Sequence, residues 1–287
     1  MPKIPFVEQN AQPNAPLLHF AHANGYPPQA YEPFLESLGT QFHVTAMEAR
    51  PLWPGTHPRE VKDWGGFVGD LISFVETLPA RAGKPIVGVG HSLGGAVSLM
   101  AAIQRPDLFR ALVLIDPPFF PPRASLVWQV IYRLGLPKYV HPLIKGALKR
   151  RTQFESAQAM FLHYRGKKVF AKLDERALWA YVNALAVPSP KGGVQLRYSP
   201  AWEAHVYATG LLHDWKTWRN LRGFALPILL LRPEIDPTTP DETADLLQKI
   251  APQTICRTIP NTTHLAPLEV PDEVAEMVMA FVDGVQN

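Results

Sequence analysis

A serine stands between two glycines in Gly90-His91-Ser92-Leu93-Gly94, preceded by the apolar run Pro85-Ile-Val-Gly-Val-Gly90 and followed by the helix-forming run Ala96–Ile103. This is the G-x-S-x-G pattern in a strand–turn–helix setting. Glycines on either side of a sharp turn remove side chains that would collide there, which leaves the serine hydroxyl exposed at the tip of the strand. The helix that follows directs unpaired N–H groups and the positive end of its dipole at the same spot, where an oxyanion would develop. Ser92 is therefore the candidate nucleophile of an acyl-transfer reaction. The bare pattern is weak, since at about 7% glycine roughly one chain of this length in ten would carry it by chance. Its place between strand and helix, and the extra Gly95 that permits close packing, give it meaning.

A serine hydroxyl needs a base for its proton, and the base needs an acid to hold its tautomer. Of ten histidines, His141, His163, His205 and His213 lie in or near a mid-chain segment without strands. His264 follows a late strand in the turn-rich Ile259-Pro-Asn-Thr-Thr-His-Leu-Ala-Pro267, and it is the expected base. Two positions are credible for the acid. Asp236 follows the run Ile228–Arg232 and is favoured, while Asp116 ends Leu112–Asp116 and is the alternative. Glu234 is a distant third. Both aspartates sit at C-terminal strand ends, the edge where ligands bind in open α/β sheets.

Competing chemistries fit less well. Gly88-Val-Gly90-His-Ser-Leu-Gly94 places its third glycine one position late for a dinucleotide fingerprint, and no lysine follows to make a triphosphate loop. His19 and His22 are three apart but have no further ligand candidates nearby, so no metal is expected. His22 is expected to shape its loop through hydrogen bonds. No cofactor is expected.

The elements that must position these residues are short apolar runs alternating with helical patterns, as in a mostly parallel α/β sheet with helices on both faces. Predicted strands are Leu17–His22, Phe42–Met47, Pro85–Gly90, Leu112–Asp116, Ile228–Arg232 and Thr254–Ile259. Predicted helices include Trp64–Leu78 and Pro271–Val282, whose apolar residues recur at helical spacing. From Pro117 the alternation gives way to aromatic, helical text. The division expected is a core of residues 1–116 and 223–287 with a helical insertion at 117–222.

The chain resembles the α/β-hydrolases that carry a helical cap, over nearly its whole length outside the insertion. The resemblance implies a serine esterase or lipase-like enzyme of that fold. In the family the strand before the first long loop ends in His-Gly-x; here the text is His22-Ala23-Asn24-Gly25, with alanine in place of the glycine. The resemblance implies an oxyanion hole from the backbone N–H groups of Leu93 and Asn24, with Ala23 the alternative to Asn24. Phe119, Phe120 and His91 are the expected substrate-pocket residues. Arg150–Ser156 and Tyr198–Glu203 are similar to stretches in microbial esterase and lipase-like members. The function expected is hydrolysis of carboxylic esters with small to medium apolar groups through an acyl-enzyme. A thioesterase, amidase, carbon–carbon hydrolase or lyase could use the same side chains, and a non-catalytic ligand receptor could share the fold. Epoxide and haloalkane hydrolases are disfavoured, because those relatives carry an aspartate where Ser92 stands.

Composition narrows the partners. With 287 residues, 47% of them hydrophobic, the chain can bury a large core, which excludes a disordered protein. The 30 prolines are scattered and read as loop punctuation. A net charge of +3 without a basic stripe interleaved with aromatics argues against nucleic acid. The densest basic stretch, Lys145–Arg151, could touch an acidic membrane surface, but a solvated helix face is the better reading. The single cysteine, Cys256, excludes an internal disulfide and reads as a buried, inert thiol in a strand. Residues 1–10 lack the apolar core of a signal peptide, and no apolar run reaches the ~18 residues of a membrane span. A cytoplasmic enzyme acting on a small-molecule ester, without stable membrane insertion, is expected.

Overall fold

The computed structural model describes residues 4–9 and 15–286. Ten strands occur among them: β1 (Phe6–Gln9), β2 (Leu17–Ala21), β3 (His43–Met47), β4 (Ile86–His91), β5 (Phe109–Ile115), three short ones, β6 (Gln153–Phe154), β7 (Ala186–Pro188) and β8 (Val194–Leu196), then β9 (Ile228–Pro233) and β10 (Thr254–Ile259). Seven form one sheet in the order β1-β3-β2-β4-β5-β9-β10. All neighbours in it are parallel except β1, which runs antiparallel to β3 at the edge. The central strands β2, β4 and β5 are almost wholly buried, as a sheet covered on both faces requires, and their sequences are accordingly mostly apolar, broken only by His19, His91 and Arg110. β10, at the other edge, exposes part of its length.

The helices that cover this sheet are α1 (Glu32–Gly39), α2 (Gly65–Thr77), α3 (Leu93–Gln104), and, after the insertion described next, α11 (Asp241–Ile250), α12 (Ala266–Glu269) and α13 (Pro271–Gln286). Between β5 and β9 the chain leaves the sheet and forms α4 (Pro122–Arg133), α5 (Pro137–Val140), α6 (Pro142–Leu148), α7 (Ala157–Arg165), α8 (Glu175–Leu185), α9 (Pro200–Thr209) and α10 (Asp214–Asn220). The α/β architecture with a mostly parallel sheet is the one expected.

Three details differ from the sequence reading. β1 went unpredicted, because four residues at an edge give too short an alternation to stand out. β5 begins at Phe109, three residues before the predicted Leu112, because pairing with β4 extends back to a register shift at Ile86/Val87. The insertion contains a small antiparallel sheet, β6-β8-β7, whose strands of two or three residues leave no period to detect.

Candidate active site

Ser92 occupies the turn between β4 and α3 with φ 53° and ψ −121°. A non-glycine residue held there stores strain of roughly 1–3 kcal/mol, a feature that clusters at functional sites. The surrounding glycines are what permit the turn. A Cβ on Gly90 would lie 2.4 Å from the Gly94 carbonyl, and one on Gly94 would lie 2.0 Å from the Ala21 oxygen of β2. The Ser92 amide donates to Ile115 O at 2.9 Å, which fixes the turn to β5.

The structure brings Asp116, not Asp236, to His264. His264 Nδ1 lies 2.6 Å from Asp116 Oδ2, and the Asp116 side chain is buried. The sequence preference for Asp236 is thereby corrected: its side chain is exposed, and among the described residues it has no hydrogen bond or ion pair with His264. The physical reason lies in the turn after β9. There Thr238 N and Thr239 N donate to Asp116 Oδ2 and Oδ1 at 2.9 and 3.1 Å, so this turn contributes the donors that hold the carboxylate and not the carboxylate itself. Burial alone would raise the Asp116 pKa; the His264 bond and the two amides outweigh it and hold the carboxyl below its usual range. Glu234 accepts from Asn261 N at 2.7 Å and so steadies the histidine loop without touching the imidazole.

A carboxylate can only accept, so His264 Nδ1 carries the proton and Nε2 is left to act as a base. Thr238 Oγ1 lies 3.0 Å from the same Nδ1. The loop itself is held by Thr263 N, which donates to Glu269 Oε2 at 2.8 Å, and by Ile235 N, which donates to Thr262 O at 3.0 Å.

A buried chain of hydrogen bonds runs behind Ser92. The Ala23 amide donates to Tyr31 Oη at 3.3 Å, Tyr31 Oη lies 2.7 Å from His91 Nδ1, and His91 Nε2 lies 2.8 Å from the His264 carbonyl. The carbonyl requires Nε2 to be the donor, which makes Nδ1 the acceptor of the tyrosine hydroxyl. Burial lowers the His91 pKa to about 3, so the ring stays neutral in this role. Ala23 N is thus occupied, whereas among the described residues neither Asn24 N nor Leu93 N has an acceptor. Both residues line the cavity that contains Ser92. His22 shapes the loop as expected: Nδ1 donates to Ala23 O at 2.8 Å, and Nε2 accepts from Ala49 N at 2.9 Å.

The cavity has a volume of about 840 Å³, and Ser92 and His264 share its wall with Phe120. Two expected pocket residues are corrected. His91 is fully buried in the hydrogen-bond chain just described, and Phe119 is buried against Trp218 with ring centroids 4.3 Å apart; neither lines the cavity. Phe120, the next residue, does line it. The inserted segment supplies much of the remaining wall, including Tyr164, Phe170, Tyr181 and Tyr207.

Residues 20–277 match the model of the Alpha/beta hydrolase family. The chain belongs to that family. Over 107 residues it is 31% identical to the type I acyl-CoA thioesterase mpaH of Penicillium brevicompactum, a match that takes in 33% of this chain and 25% of that protein. It thus spans a quarter of the length of that curated relative. The uncharacterized hydrolase YugF of Bacillus subtilis is 26% identical over 216 residues, which are 74% of this chain and 69% of that one. The crystal structure of E-2-(acetamidomethylene)succinate hydrolase superposes with a TM-score of 0.75 at 22% identity, covering 97% of this chain and 94% of that chain, a likeness of fold.

This α/β-hydrolase holds residues at its site that sequence reasoning passed over. Arg150 and Glu203 both line the cavity and pair at 2.6 Å with little exposure. Arg150 also donates to the Tyr164 hydroxyl at 3.3 Å and to the Tyr181 hydroxyl, and Tyr198 Oη donates to Asn24 Oδ1 at 2.8 Å. Asn24 Nδ2 in turn donates to Glu203 O at 3.1 Å. The two stretches noted for their family resemblance, Arg150–Ser156 and Tyr198–Glu203, therefore meet through Arg150 and Glu203, and the second of them holds the Asn24 side chain. That resemblance was the signal available. His141 lines the cavity, and His205 Nε2 donates to Val61 O at 2.6 Å; the side chain of His213 lies outside the described residues. Cys256 is half-buried, not fully buried as expected, because β10 is an edge strand. No described helix is long and apolar enough to cross a membrane.

Proposed function

We propose that the protein is a serine hydrolase with Ser92 as nucleophile, His264 as base and Asp116 as the acid that orients it. The observation that carries this reading is the 2.6 Å contact between His264 Nδ1 and Asp116 Oδ2, on a loop that sets the imidazole in the same cavity as Ser92. In the first step the Ser92 hydroxyl proton passes to His264 Nε2 as Oγ bonds to the substrate carbonyl carbon. The oxyanion that forms is held by Leu93 N–H and Asn24 N–H. The carbon–oxygen bond to the alcohol then breaks, and the alcohol leaves with the proton from Nε2. Water, deprotonated by the same nitrogen, cleaves the acyl-enzyme to release the acid and restore Ser92.

The substrates proposed are carboxylic esters with small to medium apolar acyl or alcohol groups, for which an aromatic-walled cavity of about 840 Å³ offers room. The inserted helices act as the cap that closes this cavity over Ser92. A second reading, a thioester substrate, is favoured by the 107-residue match to a thioesterase. Hydrolysis of p-nitrophenyl butyrate, lost in Ser92→Ala, together with labelling of Ser92 by a fluorophosphonate, tests the chemistry. A native protein that the probe fails to label would point to a ligand receptor. Matched esters and thioesters of increasing acyl length separate the two substrate classes.

A further inference from the structure

The inserted segment turns an apolar face outward. In α4 the inward side chains are Ser125, Trp128 and Gln129; Trp128 Nε1 donates to Ala208 O and Gln129 Nε2 to Leu212 O, each at 3.1 Å. The opposite side carries Leu126, Val127, Val130 and Leu134, a stripe at helical spacing whose members are at least 56% exposed. Tyr139 and Val140 of α5 and Leu143 of α6 are likewise exposed. Leu143 also lines the Ser92 cavity, as does the exposed Val169, so exposed apolar side chains of the insertion stand at the cavity's rim. Single exposed apolar residues are ordinary, whereas eight large ones between Leu126 and Leu143 form a surface that calls for a partner.

Charge identifies that partner. No aspartate or glutamate occurs from position 117 to 154. The same stretch exposes Arg133, Lys138, Lys145 and Lys149, and among the described residues none of these four pairs with a carboxylate. A second copy applied by two-fold symmetry would bring these cations toward one another. A surface of anionic phospholipid instead offers phosphates to the cations and an acyl boundary to the apolar stripe.

We propose that α4–α6 dock peripherally on an anionic lipid surface and set the cavity mouth against it, so that an apolar substrate passes from the lipid to Ser92. The delivery of substrate rests on the hydrolase reading above; the docking itself does not. Of the two readings of Lys145–Arg151, this takes the acidic membrane surface over the solvated face.

The test is co-sedimentation of the full chain with vesicles of phosphatidylcholine, with and without phosphatidylglycerol. Binding is expected to the anionic vesicles and to weaken as salt is raised. Lys145→Gln and Lys149→Gln should each lower it about fivefold, and Val127→Asp with Val130→Asp more than tenfold, while hydrolysis of a soluble short ester is unchanged by the latter pair. Ser92→Ala should sediment like the wild type, so loss of the catalytic reading leaves the docking result intact. Absence of wild-type binding to anionic vesicles overturns the proposal, as does undiminished binding by the Val127→Asp, Val130→Asp protein. A wild type that self-associates in the ultracentrifuge through this face, without binding vesicles, would assign the surface to a second copy and overturn it equally.

Discussion

His91 Nε2 donates to the main-chain carbonyl of His264 across 2.8 Å, joining the residue before the candidate nucleophile to the residue that is its candidate base. Through Tyr31 the same ring reaches Ala23, so three distant parts of the chain share one buried connection. Tyr31→Phe would leave Ala23 N and His91 Nδ1 without partners. It should lower stability by about 1–3 kcal/mol and reduce kcat more than it raises KM. Urea denaturation alongside steady-state kinetics checks both. An unchanged unfolding midpoint would remove the relay from the account.

Asp116→Asn should depress kcat by about 10⁴, the loss seen when an orienting carboxylate is replaced and the histidine takes the wrong tautomer. Asp236→Asn should leave the rate near that of the wild type. Comparing the two variants on one ester decides between the carboxylates, and the opposite ranking would restore Asp236.

Glu203→Gln removes the counter-charge from Arg150 while keeping the side chain's shape. Leaving a buried guanidinium unpaired should cost about 3–5 kcal/mol, since both partners are nearly enclosed. The Asn24 side chain is held by this cluster, so surviving protein should also turn over more slowly. Thermal unfolding and kcat are the measurements. A stability equal to wild type would mean that the pair is dispensable.

Gly94→Ala should abolish or severely weaken folding, because the added Cβ would sit 2.0 Å from a backbone oxygen of β2 that cannot retreat. The penalty should reach or exceed the ~1–3 kcal/mol typical of overpacking. Soluble yield and the urea midpoint report it, with Gly69→Ala, where no heavy atom lies within 4 Å of the new Cβ, as the control.

Acid should destabilise the fold below about pH 6.5. Burial lowers His19 to about 3, His22 to about 4 and His91 to about 3, so each stays neutral when folded and takes a proton when unfolded. The unfolded chain then binds more protons between its own histidine pKa and these values, and stability falls as pH drops through that window. Each such group contributes roughly 1.4 kcal/mol per pH unit. Urea midpoints at pH 7.5, about 6 and about 5 should decline progressively, and a flat series would contradict the neutral assignments.

Much of the fold and part of the site were legible in residue order. The buried strands announce themselves as apolar runs because a sheet covered on both faces tolerates little else, and Gly90, Gly94 and Gly95 mark a turn that side chains would block. Ser92 and His264 could be named for the same reason: one stands at that turn, the other in a loop after the last strand. The small sheet of the insertion and the edge strand β1 were not legible, because so few residues carry no period.

What the linear order left open was which carboxylate meets the imidazole, and which aromatic faces the cavity. Asp116 directly follows β5 and Asp236 lies three residues past β9, and both take positive φ, 41° and 49°; β5 and β9 are neighbours in the sheet. Their local signals are nearly the same. The choice is made when Thr238 and Thr239 fold back over Asp116 and give it their amides, which leaves Asp236 in solvent. Phe119 and Phe120 divide in the same way, one stacking on Trp218 and the other reaching the cavity. Local pattern named the candidate groups; the packing of distant segments decided which of them touch.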